Sequence, residues 1–436
     1  MQKRSLKVCL VTGEYPPNQG GVGDFTHELG KALAALGHEV HVITGASPNT
    51  QPETRNSKLE TRNTAIVHRS IRGWGWDCWR DISRLHDGSR YALHFDVLNI
   101  QYQTATYGMH PAINLLPLRL RTGTGLRPHT VVTFHDLKAP YLFPKAGRLR
   151  WWVNLALARW SHAVIATNAE DFARLSTYSF IRSLSLIPIG SNISPKLPAG
   201  YDRTAWRTRW GLKPDDLLLS YFGFLNESKG GETLMRALAR LVQRGHNIQS
   251  TSNIQYPISH IPYPISSIQL MMVGGKVGSS DPTNVAYLKK IEGLIEELNL
   301  TEKVIWTGYT PQPEVSANLL ASDICVLPYR DGASFRRGSF MAALAHGLPI
   351  VSTRPRVDVP ELQHGENILL APPDAPVALA EAIARLAVDA ELRRRLGEGA
   401  ARLSQDFTWE KIAEKTEALY EAISNVPERH IPRLDH

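Results

Sequence analysis

The feature that most limits what this chain can become is an alternation that occurs twice: a short apolar run, a glycine-bearing turn, an amphipathic stretch, then another short apolar run. "KVCLVTG" leads through "NQGGVGD" into a stretch with Phe25, Leu29, Ala32, Leu33 and Leu36 at helical spacing, and Gly37 separates it from "EVHVIT". Apolar runs of this length between turn residues read as strands, and the recurrence every three to four residues reads as a helix. The result is a βαβ unit. "DVLNIQ", "HTVVTFHD", "AVIATN" and "LSLIPIG" continue the pattern to about residue 193. Strands without polar alternation are buried on both faces, which calls for a parallel sheet covered by helices on either side.

A Pro- and Gly-rich stretch, "SPKLPAGYD" at 194–202, reads as a linker. The alternation then restarts with "DLLLSYFGFL" and runs through "QLMMVGGK", "KVIWTGYT", "DICVLPY", "LPIVSTR" and "NILLAPP". Helical stretches separate these runs, one of them at 338–346, and three more close the chain at about 375–387, 390–404 and 408–424. A chain of 436 residues exceeds what one core usually serves, so two domains are expected. We place them at 1–195 and 196–407, with a C-terminal helix at 408–425 and a tail at 426–436. Both are doubly wound α/β domains of the Rossmann type. One segment breaks the rhythm. Residues 247–269 repeat Tyr256-Pro-Ile-Ser as Tyr263-Pro-Ile-Ser, in a helix-to-strand connection that normally takes about 2 to 6 residues. They read as an inserted surface loop.

The formal net charge of +8 favours anionic partners such as phosphorylated small molecules or an acidic membrane surface. The basic residues are dispersed, with no zinc-knuckle spacing, helix-turn-helix pattern or RNP-like aromatic motif, so nucleic acid is not expected. Cys9 and Cys325 sit in strand-like runs and Cys78 in a Trp-rich stretch, which indicates neither disulfides nor a metal site. The first apolar run is too short for a signal-peptide core, and no later run is long enough to cross a bilayer, so a cytoplasmic protein is expected.

Several stretches could carry chemistry. In "QGGVGD" (19–24), Gly20 and Gly21 allow close backbone approach, and N–H groups at the following helix start favour an anion. A tight turn chosen for backbone geometry alone is the plainer reading. "TFHD" at 133–136 ends a strand, where ligands of open α/β sheets gather, and puts His135 toward a crevice. "GFLNESKGG" at 223–231 ends the first strand of the second domain and sets Lys229 at a helix start, suited to negative charge developing on a phosphate leaving group. "RDGASFRRGSFMAALAHGLP" at 330–349 presents Arg336 and Arg337 ahead of a helix, with its only acid, Asp331, before the turn. In "GRLRWWVNLALARW" at 147–160, Leu149, Trp152, Val153, Ala156 and Trp160 share a helical face near three arginines. That pattern suits either core packing or a peripheral contact with an anionic membrane.

Taken together, these stretches resemble the family 4 glycosyltransferases of the GT-B fold. The resemblance runs from "EYPPNQGGVGDFTHELGKALAALGHEVHVIT" through "LIPIGSNI", "YFGFLNESKGGETLMRAL" and "VIWTGYTPQPEVSANLLASDICVLPY" to "ALAHGLPIVST", "GENILLAPPD" and "FTWEKIAE". It implies two facing Rossmann-like domains with a nucleotide-sugar donor between them, and a retaining, metal-independent transfer of a hexose to a hydroxyl of a glycan, lipid-linked sugar or small molecule. It needs no cofactor. Carried over by position, Gly20 and Gly21 would line the donor or acceptor, His135 would contact the transferred sugar and Lys229 would neutralise the diphosphate. The backbone near Tyr309 would hold the base, and the last helix, around Trp409, would return to the first domain.

Two departures stand out. The family's paired glutamates fall on Ser334 and Ala342, and an arginine that many members carry falls on Phe224. Either Arg336 or Arg337 replaces the missing charge, with Ser334 and the amides near Gly338 holding hydroxyls or phosphate, or the site has decayed into a sugar-nucleotide-binding or scaffolding protein. Within enzymes, the rivals are a nucleotide-sugar epimerase and a glycan phosphorylase.

Overall fold

The computed structural model describes residues 4–18, 20–46, 64–86, 93–122, 127–137, 149–247, 268–276 and 282–425. The body of the 247–269 insertion lies outside the described residues. The chain divides into two compact units, Met1–Gly190 with Thr408–His436, and Ser191–Phe407. The first division falls at Gly190, a few residues before the boundary read from the sequence.

In the first unit, β1 (Lys7–Thr12), α1 (Gly21–Ala35) and β2 (Glu39–Gly45) form the opening βαβ turn. They are followed by β3 (Ile66–Ile71), α2 (Asp77–His86), β4 (Val97–Tyr102), α3 (Ala112–Thr122) and β5 (His129–Phe134). Then come α4 (Leu149–Trp160), β6 (Ala163–Ala166), α5 (Ala169–Ser176) and β7 (Leu184–Leu186). The sheet order is β3-β2-β1-β4-β5-β6-β7, and every pairing is parallel. Successive residues of β1 feed opposite faces: Cys9 and Val11 join one buried cluster, Val8 and Leu10 the other. That is why the run carries no polar alternation.

The strand β3 escapes a reading by apolar runs because "IVHRSI" is a half-buried edge strand holding His68 and Arg69. On α4 the buried residues are Asn154, Leu155, Leu157 and Ala158, while Trp152 stands 60% exposed. The core face is therefore offset from the Trp152, Val153, Ala156, Trp160 face expected from the sequence.

The final helix α13 (Trp409–Ser424) belongs to this first unit. Its Ile412, Ala413, Leu419, Tyr420 and Ile423 share a cluster with Leu29 and Leu33 of α1. Asn99 Nδ2 of β4 donates to the Tyr420 hydroxyl at 2.7 Å, and His38 Nε2 lies 2.9 Å from Glu417 Oε1, both side chains buried.

The second unit opens with α6 (Arg203–Arg209), whose N-cap Asp202 accepts from Ala205 N at 2.8 Å. Then follow β8 (Leu217–Phe222), α7 (Gly231–Asn247), β9 (Ile268–Val273), α8 (Pro282–Glu297), β10 (Val304–Gly308) and α9 (Gln312–Ala321). The unit continues with β11 (Ile324–Leu327), α10 (Gly338–Ala345), β12 (Ile350–Thr353), β13 (Leu369–Ala371), α11 (Pro376–Val388) and α12 (Ala390–Ser404). Its sheet order is β10-β9-β8-β11-β12-β13, again parallel throughout. Each sheet thus reverses its winding beside its first strand, between β1 and β4 in one unit and between β8 and β11 in the other. Crevices for ligands open at the carboxyl ends of strands at such reversals. The three cysteines are free and buried.

Candidate functional site

In the second unit the loops leaving β8 and β11 dock backbone to backbone. Gly230 has φ +71, and a Cβ there would lie 1.8 Å from the Pro328 carbonyl oxygen, so only glycine permits the contact. Arg330 N donates to Ser228 O at 2.9 Å and locks the same two loops together. This docking draws Lys229 back over the end of β8: a Cβ on Gly223 would lie 2.9 Å from Lys229 Nζ and 3.6 Å from Ser339 Cβ. Lys229, Gly223 and the first turn of α10 therefore meet at the winding reversal.

Both arginines of the second loop reach this corner, but not unaccompanied. Arg336 Nη2 donates to Asp331 Oδ2 at 2.7 Å, and Arg337 Nη2 bonds both Asp331 oxygens. The sequence placed Asp331 outside the site because it precedes the helix; the turn instead folds it back beneath both guanidinium groups. Arg337 also lies 4.8 Å over the Tyr329 ring and donates to Ser228 Oγ at 3.3 Å, while its buried Nε has no hydrogen-bond partner among the described residues. The Tyr329 hydroxyl and Ser339 Oγ are 2.7 Å apart.

The charges act on one another. Burial, and then the Arg337 guanidinium, pull the Lys229 ammonium down to about 7. Burial raises the Asp331 carboxyl, but Arg337 and then Arg336 outweigh it and hold that group below the usual carboxylate range. The two arginines thus share one carboxylate, and Lys229 lies close enough to Arg337 to feel its charge, which leaves the corner a surplus of positive charge among the described residues. Arg330 does not add to it, being paired with Glu227 and Asp374.

The remaining residues expected in this unit are placed unequally. Phe224 is 37% exposed, its ring against Gly275. Tyr309 is 71% exposed, next to Gly308, whose φ is +68. Ser334 shapes the arginine turn, its carbonyl accepting from Arg337 N at 3.1 Å. Gly338 opens α10. Ala342 is fully buried inside α10, so its position presents no group to a ligand.

The first unit is built differently. A Cβ on Gly20 would lie 2.2 Å from the Glu14 carboxylate, because Glu14 curls under the start of α1 and its Oε1 accepts from Val22 N at 3.0 Å and Gly23 N at 3.2 Å. The amides that the sequence offered to an external anion are held by the protein's own carboxylate, a correction with a plain electrostatic cause. Burial nevertheless raises the Glu14 carboxyl above its ordinary value. Gly21 is open, with nothing near an added Cβ.

His135 follows β5, half-buried, with its Nε2 3.0 Å from Gln101 Oε1 and its ring 4.7 Å from Phe25 in a near-perpendicular contact. Phe25 in turn lies 5.3 Å from Trp409 of α13. Burial pulls His135 down to about 3, so it is a neutral imidazole at physiological pH. With Gln101 accepting, the proton sits on Nε2 and Nδ1 is an acceptor.

Sequence reasoning missed Asp331, Glu14, Tyr329, Ser339 and Gln101. A signal existed for Asp331, since an acid five and six residues from two arginines can close a turn on them. For Glu14 the only hint was an acid just before a Gly-rich helix start. No group of three or more His, Cys, Asp or Glu suited to a metal occurs among the described residues, and no described helix is long and apolar enough to cross a membrane.

Two family models match the chain. "Glycosyltransferase Family 4" covers residues 19–194 and "Glycosyl transferases group 1" covers residues 217–389. A D-inositol 3-phosphate glycosyltransferase of Corynebacterium jeikeium is 26% identical over 246 residues, 55% of this chain and 52% of that protein. The chain thus spans about half the length of that relative. Glycogen synthase of Mycobacterium tuberculosis is 26% identical over 461 residues, 98% of both chains. Among solved structures, HepE of Anabaena in complex with UDP and glucose matches with a TM-score of 0.68 at 16% identity, covering 96% of this chain and 100% of that one. With its two parallel sheets and both models in sequence order, the chain belongs to the family 4, group 1 glycosyltransferases of the GT-B fold.

Proposed function

We propose that this protein transfers a hexose, with retention, from a nucleotide diphosphate sugar to an acceptor hydroxyl, and that Lys229 and Arg337 hold the diphosphate. The observation that carries the reading is the surplus charge at the β8 and β11 loops: Arg336 and Arg337 on the carboxylate of Asp331, with Lys229 near Arg337. Of the two arginines, Arg337 is the better candidate. It is the one that perturbs Lys229, and its Nε has an unused donor. HepE of Anabaena holding UDP and glucose on the same fold supports the donor class.

In this reading the acceptor hydroxyl attacks the anomeric carbon as the bond to the β-phosphate oxygen breaks. The departing diphosphate takes up the hydroxyl proton on the same face, and no protein nucleophile intervenes. Lys229 and Arg337 stabilise charge growing on that leaving group, the kind of fixed electrostatic contribution that dominates many enzymes. His135, held neutral in the first unit, is suited to sugar hydroxyls rather than to phosphate. Glu14 is suited to sugar hydroxyls and unsuited to phosphate.

Consumption of a panel of UDP-, GDP- and ADP-hexoses tests the proposal. Release of nucleoside diphosphate from at least one donor, reduced about 100-fold or more in Lys229→Met, is expected. Nucleotide binding without release from any donor would instead identify a sugar-nucleotide-binding protein that does not transfer.

A further inference from the structure

The loop joining β3 to α2 carries Trp74 and Trp76, with Trp79 in the first turns of the helix, and the mechanism above uses none of them. Trp74 and Trp79 pack on the core, and Trp79 Nε1 donates to Ala112 O at 2.8 Å. Trp76 does not share their burial: 51% of it is exposed. Its ring is nonetheless held, 4.9 Å from Trp79 and 5.2 Å from His110, both nearly perpendicular. His110 is itself oriented. Its Nδ1 accepts from Ala112 N at 3.1 Å, so the neutral ring carries its proton on Nε2. Beside it, Met109 is 44% exposed at φ +57, a left-handed backbone that a non-glycine residue rarely adopts.

The place matters as much as the chemistry. Met109 and His110 lie on the loop leaving β4, and that loop touches the one leaving β1: a Cβ on Gly13 would lie 2.1 Å from Thr106 O. The Trp74 ring is 4.7 Å from that of Tyr107 on the same loop. The exposed indole therefore stands at the winding reversal of the first sheet, where a ligand crevice belongs. The arginines nearest to it in sequence are paired with carboxylates, Arg80 with Asp77 at 2.9 Å and Arg72, more loosely, with Asp81 at 3.7 Å, which does not favour an anionic membrane or a polyphosphate. A rigid apolar ring beside a fixed N–H donor suits a pyranose, with its C–H face and its rim of hydroxyls.

We propose that Trp76, flanked by His110 Nε2–H, is a stacking platform for a sugar ring of the acceptor, making the acceptor a carbohydrate. Its role as an acceptor site rests on the transferase reading; its ligand class does not. The test is native gel electrophoresis of the full chain in gels containing neutral glucan, mannan or galactan, with binding of UDP, GDP and ADP measured in parallel. Wild type is retarded by at least one polysaccharide, Trp76→Ala loses fivefold or more of that affinity, and Trp76→Phe keeps most of it. Affinity for the nucleoside diphosphate that wild type binds stays within twofold in both variants. The proposal is overturned by no retardation in any gel, by equal retardation of Trp76→Ala, or by a parallel loss of nucleotide binding, which would make the indole a seat for the base. Retardation of a wild type that binds no nucleotide would end the transferase reading and leave the platform standing.

Discussion

The two units solve one structural problem in opposite ways. Each reverses its winding beside its first strand, and each puts a glycine-bearing loop and a helix start there. In the first unit the helix start is satisfied from within, Glu14 taking the amides of Val22 and Gly23. In the second, Arg336 and Arg337 share Asp331, and burial with the neighbouring Arg337 drives Lys229 down to about 7. Two related folds thus present opposite electrostatic offers, a carboxylate in one and unspent cations in the other. The proposed phosphate-binding corner is marked by charge left over, which a count of glycines or of helix starts does not reveal.

The largest effect on this contrast should come from the second unit. Arg337→Ala is expected to weaken nucleoside diphosphate binding about 10- to 100-fold, the range of a lost charge-assisted hydrogen bond. Arg336→Ala should cost about threefold or less, because Arg336 neither perturbs Lys229 nor stacks on Tyr329. Equal effects in a titration of both variants would break the assignment of Arg337. The smallest effect should come from the first unit. Glu14→Gln keeps an acceptor for the two amides and removes a charge that burial disfavours, so thermal melting should show stability unchanged or slightly raised. Nucleoside diphosphate affinity should stay within about twofold, and a larger gain or loss would place phosphate at the first loop after all.

Much of this arrangement is legible in the residues. The strands other than β3 follow from short, mostly apolar runs between turn residues, even where buried polar side chains such as Asn99 and Gln101 of β4 interrupt them, and α12 and α13 follow from helical spacing. The strand β3 is hidden because an edge strand needs no such run and can hold His68 and Arg69. Lys229 is legible from its place at a helix start; its depressed affinity for a proton is not, since that depends on Gly223 and Arg337 coming close in space. Asp331 is the sharpest case. Read linearly it lies ahead of the site, and only the turn through Ser334 returns it to both guanidinium groups. On α4 the spacing admits two neighbouring faces, and packing chose the one with Leu155 and Ala158.

The central claim, that an external diphosphate balances the second unit's charge, is tested most directly by counting protons. Without ligand, Lys229 titrates near 7, against about 10.4 for an ordinary lysine, so the folded protein holds it largely neutral above pH 7 and charged below. A bound diphosphate favours the ammonium and raises its pKa. Calorimetry of UDP, GDP or ADP binding at pH 8, in buffers of different ionisation enthalpy, should show uptake of close to one proton with the nucleotide that binds. The uptake should fade below pH 6 and vanish in Lys229→Met. Binding with no proton uptake at pH 8, and with undiminished affinity in Lys229→Met, would contradict the account.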